Sequence, residues 1–302
     1  MTEVEEFTLE VNPDDVNVRM LEIWKRGGVN RLSIGIQTFD DSSLKALGRR
    51  HDGTDALQAY RLARKFFDNI SVDLMFGLPG QTLDVWYRDL QIALELRPEH
   101  ISAYSLMYEE GTVLTALRDS GRLEEISEEM SEMMFRLLME KLAKAGYDHY
   151  EISNFALPGY RSHHNTSYWL QKPYIGLGPS AHSYDGERKR KANRAALRSY
   201  LDRWTPCDGI VVNEEDVMEI ENLCEEELME EYILTRTRMR EGIPLEHFAG
   251  LFGMQALDRL LVNAAPLVNE GKVLLTDSHI SLSEDAIMLS DSLILRLVES
   301  LC

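Results

Sequence analysis

Phe7-Thr8-Leu9-Glu10-Val11, Leu32-Ser33-Ile34-Gly35-Ile36-Gln37 and Ser71-Val72-Asp73-Leu74-Met75-Phe76 are the stretches that decide the fold. In each, apolar side chains alternate with polar or small ones, the period of two that sends successive residues to opposite faces of a strand. The segments between them are long enough for helices, and strands separated by helices read as βα units with parallel pairing. Parallel strands buried on both faces usually read as unbroken apolar runs. One apolar and one polar face therefore points to helices outside and a polar, cavity-bearing interior, that is, an α/β fold forming a (β/α) barrel or part of one. An antiparallel sheet with one wet face would explain the polarity but not the helix between each pair of strands.

Working outward, strands are expected at Val4–Val11, Arg31–Gln37, Ile70–Phe76, Ile101–Met107 and Tyr150–Phe155, with a less regular one at Tyr174–Leu177. Asn12 is placed to cap a helix with Pro13 in its first turn; Val16, Met20, Ile23 and Trp24 supply an apolar stripe, and Gly27-Gly28 a stop. A second helix is expected over Ser127–Ala145, where Met130, Met133, Met134, Leu137, Leu138 and Leu142 recur at helical spacing and Gly146 ends the run. Those methionines read as core. Beyond a linker at Cys207–Asp216 the pattern changes to helices over Glu219–Arg240, Leu245–Phe252 and Ala256–Asn269. Two short strands, Lys272–Thr276 and His279–Leu282, then flank a turn at Asp277-Ser278, and a last helix covers Glu284–Val298. Helices, a hairpin and a final helix resemble a winged-helix-type module. The expected division is a partial barrel over residues 1–206 and a C-terminal α+β module over 207–302.

The 302 residues are 44% apolar, enough for a sizeable core. No run approaches the ~20 apolar residues that span a bilayer, and the first residues lack a basic stretch leading into an apolar one. A cytoplasmic protein with at most peripheral membrane contact is expected. Cys207, Cys224 and Cys302 are odd in number and scattered, which suits reduced thiols and fits no metal-ligand spacing. Net charge is −19, with residues 206–302 holding 6 Lys and Arg against 20 Asp and Glu. Such a surface repels polyanions, so nucleic acid is not an expected partner. The one basic run, Arg188-Lys189-Arg190-Lys191 with Arg194 and Arg198, is expected to be a solvated loop and helix start.

Barrels of this kind place their sites at the C-terminal ends of the strands. Glu10, Gln37 and Asp73 lie at or near such ends on the inward face, and Arg49 follows in Leu47-Gly48-Arg49-Arg50-His51. Two carboxylates, an amide and a guanidinium suit a zwitterion carrying a ribose, because carboxylates accept from ammonium and hydroxyl groups while Arg forks onto a carboxylate. A structural salt-bridge network would use the same residue types.

Asn30 to Asp40, Asp73-Leu74-Met75-Phe76-Gly77-Leu78-Pro79-Gly80-Gln81-Thr82 and Tyr150-Glu151-Ile152-Ser153-Asn154-Phe155-Ala156 resemble, in order, the signature blocks of the heme-chaperone and oxygen-independent coproporphyrinogen oxidase branch of the radical-SAM proteins. The resemblance implies that Glu10, Gln37, Arg49 and Asp73 contact S-adenosylmethionine. His163-His164-Asn165-Thr166-Ser167-Tyr168-Trp169 is similar to the His-Asn-x-x-Tyr-Trp motif that separates the heme-chaperone type from the oxidases, and Gly176-Leu177-Gly178-Pro179-Ser180-Ala181-His182-Ser183 continues the pattern. A neutral imidazole can ligate heme iron and an aromatic face can stack on a porphyrin. The resemblance thus implies a heme site using His164, Asn165, Tyr168, Trp169 and His182, with the ligating histidine open between His164 and His182. From the residues alone, a capped helix burying Tyr168 and Trp169 is the favoured explanation of the block; only the resemblance brings the heme reading level with it.

The family also carries a Cys-x-x-x-Cys-x-x-Cys loop for a four-iron four-sulfur cluster and a Gly-Gly-Gly-Thr-Pro segment, and neither occurs in this sequence. The expectation is of an N-terminally shortened family member, inactive in radical chemistry because no Cys triplet can supply the cluster's thiolates. It would handle heme or porphyrin and pass it to an acceptor protein. An oxygen-independent coproporphyrinogen oxidase and an inactive interaction protein are the alternatives. Phe7–Val11 would then be a parallel edge open to self-association.

Overall fold

The computed structural model describes residues 4–204 and 218–299. The chain forms two compact units, Met1–His163 and His164–Cys302, so the expected division after residue 206 falls inside the second unit.

The first unit runs β1 (Thr8–Val11), α1 (Val18–Arg26), β2 (Arg31–Gln37), α2 (Asp41–Ala46), α3 (Gly53–Ala63), β3 (Ile70–Phe76), α4 (Leu83–Leu96), β4 (His100–Ser105), α5 (Val113–Asp119), α6 (Glu128–Lys144), β5 (Asp148–Glu151) and β6 (Asn154–Ala156). These six strands make one sheet in the order β1-β2-β3-β4-β6-β5. β1 to β4 pair in parallel, as the βα spacing predicts. The alternation holds: Leu32, Ile34, Ile36, Val72, Leu74, Phe76 and Ile101 are buried in the core. α4 and α6 lock together over Phe76. The rings of Trp86 and Phe135 lie 5.6 and 6.0 Å from Phe76, and Trp86 Nε1 donates to the Met134 carbonyl at 2.9 Å. Burying each such side chain is worth ~1.5–3 kcal/mol.

Two expectations fail here for local reasons. Tyr150–Phe155 is a hairpin rather than one strand, because the Glu151 carboxylate accepts from Ser153 N at 3.2 Å and from the Asn154 amide and so closes a tight turn. β6 therefore runs antiparallel to β4 and the sheet is mixed. The helix expected from Asn12 is only a short 3-10 turn at Pro13–Asp15, without a side-chain cap bond. The chain restarts as α1, capped by Asn17, whose side chain accepts from Met20 N at 3.1 Å.

In the second unit α7 (His163–Trp169) leads to β7 (His182–Tyr184), β8 (Lys189–Asn193), α8 (Leu197–Trp204) and β9 (Met218–Asn222). β7, β8 and β9 form an antiparallel sheet. Lys189–Asn193 of the basic run is thus a strand, not a loop, while Arg198 lies in the first turn of α8 as expected; Arg190 pairs with Glu231 at 2.6 Å and lies over the Tyr184 ring. Tyr174–Leu177 makes no strand, only a bridge from Tyr174 to Tyr184. The C-terminal module then runs α9 (Glu225–Thr237), β10 (Ile243–Pro244), α10 (Leu245–Phe252), α11 (Met254–Asn269), β11 (Val273–Leu275), β12 (His279–Leu282), a 3-10 turn at Glu284–Leu289 and α12 (Ser290–Val298). α9 begins at Glu225 rather than Glu219 because Met218–Asn222 is taken by β9, and Glu227 reaches back to accept from Cys224 N at 2.7 Å. Tyr232, Ile233, Phe248, Leu260, Leu267, Ile280 and Leu297 share one apolar core, which holds this module together.

Candidate functional site

Strand register brings Glu10 and Asp73 to one face of the first unit's sheet. Glu10 on β1 sits opposite Ser33, and Gly35 on β2 sits opposite Asp73 on β3. Ser33 Oγ donates to Asp73 at 3.0 Å. Solvent still reaches Asp73, but protein atoms surround its carboxyl as at the floor of a concave site. Burial pushes it up to about 6, against hydrogen bonds from Ser33 and Ser102 and the Arg31 charge, with Glu10 adding to the rise.

Arg49 joins them through its Nη2, which donates to the Gly35 carbonyl and to Asn12 Oδ1, each at 2.8 Å. Asn12, read from sequence as a helix cap, is a partner of this guanidinium. Gln37 ends β2 with φ of 70°, and Thr38 N donates to the Ile36 carbonyl at 2.9 Å. A three-residue turn with positive φ at its centre is rare and strained. The buried Asp89 of α4 clamps its far side, accepting from Thr38 Oγ1 at 2.7 Å and Phe39 N at 2.8 Å. Gly35 supplies the space between the two functional groups. A Cβ there would lie 2.9 Å from Gln37 Nε2 and 3.4 Å from Arg49 Nη2.

Along the same sheet face a buried polar chain continues. Ser71 Oγ meets His100 Nδ1 at 2.8 Å, and His100 Nε2 meets the Tyr150 hydroxyl at 2.8 Å. Burial, helped by the Arg31 charge, holds His100 well below the ordinary histidine range, so it is neutral at pH 7. Sequence reading missed Asn12, Arg31, Ser33, His100 and Ser102. The period-two alternation that placed Asp73 would have placed Arg31, Ser33 and Ser102, but nothing local marks Asn12 as a partner of a residue 37 positions on.

The donor set fits the methionyl end and ribose of S-adenosylmethionine. Arg49 Nε is buried without an acceptor, and Asp73 with Glu10 offers carboxylate oxygens. Among the described residues no such fit exists for an iron-sulfur cluster. Cys224 is exposed at the start of α9 and is the single cysteine among the described residues. Those residues contain no group of three or more His, Cys, Asp or Glu placed to hold a metal.

The second unit holds the aromatic block. His164 packs edge-on against Tyr168, with ring centroids 4.7 Å apart, and Tyr168 against Tyr174 at 4.6 Å. The Arg238 guanidinium lies 4.7 Å over the Trp169 ring. Asn165, Tyr168 and Trp169 line a pocket of ≈350 Å³ with Tyr174, Tyr184 and Arg190; neither His164 nor His182 is in its wall. Both of those histidines are exposed. The turn before His182 depends on Gly176, whose backbone abuts that of His182 so closely that a Cβ would meet the His182 carbonyl oxygen at 2.0 Å.

Comparison with known proteins gives the chain a family. The radical SAM superfamily profile matches residues 1–91, which contain Glu10, Gln37, Arg49 and Asp73. The HemN C-terminal domain profile matches residues 223–289. Heme chaperone HemW of Bacillus subtilis (strain 168) is 36% identical over 96% of this chain and 75% of its own length. The chain belongs to the HemW heme-chaperone family of radical-SAM proteins. HemW of Lactococcus lactis subsp. lactis (strain IL1403) is likewise 36% identical, over 82% of this chain and 64% of its own length. The chain thus spans about two thirds to three quarters of these HemW relatives. Coproporphyrinogen III oxidase (HemN) of Escherichia coli shares the fold, with a TM-score of 0.78 at 18% identity over 97% of this chain and 70% of that one. Among the described residues of this HemW-family chain no helix is long and apolar enough to cross a membrane.

Proposed function

We propose that this chain handles heme, holding it through the aromatic block of the second unit, and binds S-adenosylmethionine at the polar sheet face of the first. The observation that carries the heme reading is the pocket walled by Tyr168, Trp169, Tyr174 and Tyr184 with Arg190 at its side, since flat rings receive a porphyrin and a guanidinium its propionates. The S-adenosylmethionine reading rests on Arg49, Gln37 and Asp73 converging around Gly35. Arg49 would fork onto the ligand's carboxylate, and Asp73 or Glu10 would accept from its ribose hydroxyls or ammonium. Delivery of heme to an acceptor protein in the cytoplasm, with at most peripheral membrane contact, completes the reading, as does a functional division near residue 206.

Hemin titrated into the wild type, His164→Ala and His182→Ala, followed by Soret absorbance, tests it. Saturable binding weakened by one substitution supports the reading and names a ligand. Equal affinity in all three rejects both histidines as ligands, and no binding by the wild type rejects the heme reading.

A further inference from the structure

The pocket beside Trp169 does not stand alone. A second pocket of ≈430 Å³ shares Gln171 and Tyr184 with it, so the two are neighbouring compartments of one groove. Each volume falls within the roughly 300–1,000 Å³ of small-ligand sites. Trp169 and Tyr174 wall one compartment, while Tyr232 and Phe252 wall the other. Flat rings on both sides of Tyr184 suit a flat conjugated ligand longer than either compartment.

Four polar atoms of the groove's residues are buried without partners: Trp169 Nε1, Gln171 Nε2 and Arg190 Nε about the smaller compartment and Arg236 Nε at the larger. Buried polar groups are ordinarily paired, so orphans in a groove wall mark contacts that a ligand completes. All four are N–H donors, and the ligand must therefore bring acceptors, of which a carboxylate is the one that suits a guanidinium. Glu231 also lines this compartment, but Arg190 Nη2 neutralises it at 2.6 Å.

The larger compartment holds His247. Its Nδ1 lies 2.7 Å from the Tyr232 hydroxyl, and the two rings stack. In the tautomer whose Nδ1–H donates to Tyr232, Nε2 carries the lone pair, the arrangement in which an outer hydrogen bond orients a metal-ligating imidazole.

We propose that this groove seats an iron tetrapyrrole with carboxylate arms, that Trp169, Gln171 and Arg190 receive a carboxylate, and that His247 Nε2 is an axial ligand of the iron. This rests on the heme reading above and assigns that reading its residues. The test compares hemin, metal-free protoporphyrin IX and its dimethyl ester on the whole chain. In His247→Asn, whose amide still meets Tyr232, hemin affinity should fall about tenfold or more with a shifted Soret band, while metal-free protoporphyrin binds as to the wild type. Gln171→Leu should weaken hemin and protoporphyrin but leave the ester unchanged. Hemin binding to His247→Asn with wild-type affinity and spectrum would overturn the ligand assignment. Equal wild-type affinity for protoporphyrin and its ester would overturn the carboxylate contact. If the wild type binds none of the three, the heme reading itself fails, which separates the two failures.

Discussion

Gly35 is where a single methyl group separates folding from binding. Alanine there would press on the ends of two long side chains, which can move, and not on backbone. Gly35→Ala should therefore fold normally and lower S-adenosylmethionine affinity roughly tenfold, or about 1.4 kcal/mol, by isothermal titration. Two carboxyls of the first unit give a pH signature. Asp73 and Asp89 are both pushed from 3.8 up to about 6, by burial first; the Asp40 charge reinforces the shift at Asp89, while Thr38, Phe39 and Arg88 oppose it. A raised carboxyl binds its proton more tightly folded than unfolded, so its penalty is full above about pH 6 and is lifted as pH falls from there toward 3.8. These two groups should make the protein more stable near pH 5 than at pH 7.5. In denaturant titrations Asp89→Asn should flatten that difference, and an unchanged slope would show that Asp89 does not titrate there. That Glu10, Gln37 and Asp73 lie close together was legible because alternation and strand ends both point to them, and Arg49 because it follows closely in sequence. Asn12 was not, because Asn-Pro is also good helix-start chemistry and its true partner, Arg49, is a tertiary contact.

Among the elements, the parallel core β1 to β4 follows directly from the period-two pattern, since each strand has one face that must be buried. The hairpin β5–β6 does not. Its turn is closed by the side chains of Glu151 and Asn154, which in sequence sit inside an ordinary strand-like run. The basic stretch at Arg188 misled in part for a related reason: Glu231, far along the chain, and the face of Tyr184 receive Arg190, so Lys189–Asn193 is a paired strand, while Arg188, Lys189, Arg194 and Arg198 are exposed as the run suggests. β1 is an edge of the six-stranded sheet, with Phe7 43% exposed just before it while Val11 is buried. Unpaired edges invite pairing with a second copy. We expect concentration-dependent self-association by analytical ultracentrifugation, suppressed by Leu9→Lys. A clean monomer at all concentrations would mean that the edge is blunted already.

At the scale of the whole molecule, the two readings fall on separate units, the S-adenosylmethionine residues before residue 92 and the aromatic groove after residue 163. The α/β class and the C-terminal module could be read from sequence because each rests on long periodic segments. The unit boundary could not, because α7 carries no Pro or Gly break between His163 and His164. After anaerobic iron and sulfide reconstitution this chain should hold no four-iron cluster and form no 5′-deoxyadenosine above a protein-free control, since Cys207, Cys224 and Cys302 make no triplet. A stoichiometric cluster would refute that expectation. The turn at Gln37 bears on the durability of the protein as a whole. A non-glycine residue held at φ 70° costs ~1–3 kcal/mol, and glycine would relieve it, less the ~0.5–1 kcal/mol of added chain entropy. Gln37→Gly should thus melt slightly higher than the wild type, yet bind S-adenosylmethionine more weakly. Under selection for heat resistance alone this position would drift toward glycine, so the glutamine persists only while something still selects for what its amide touches.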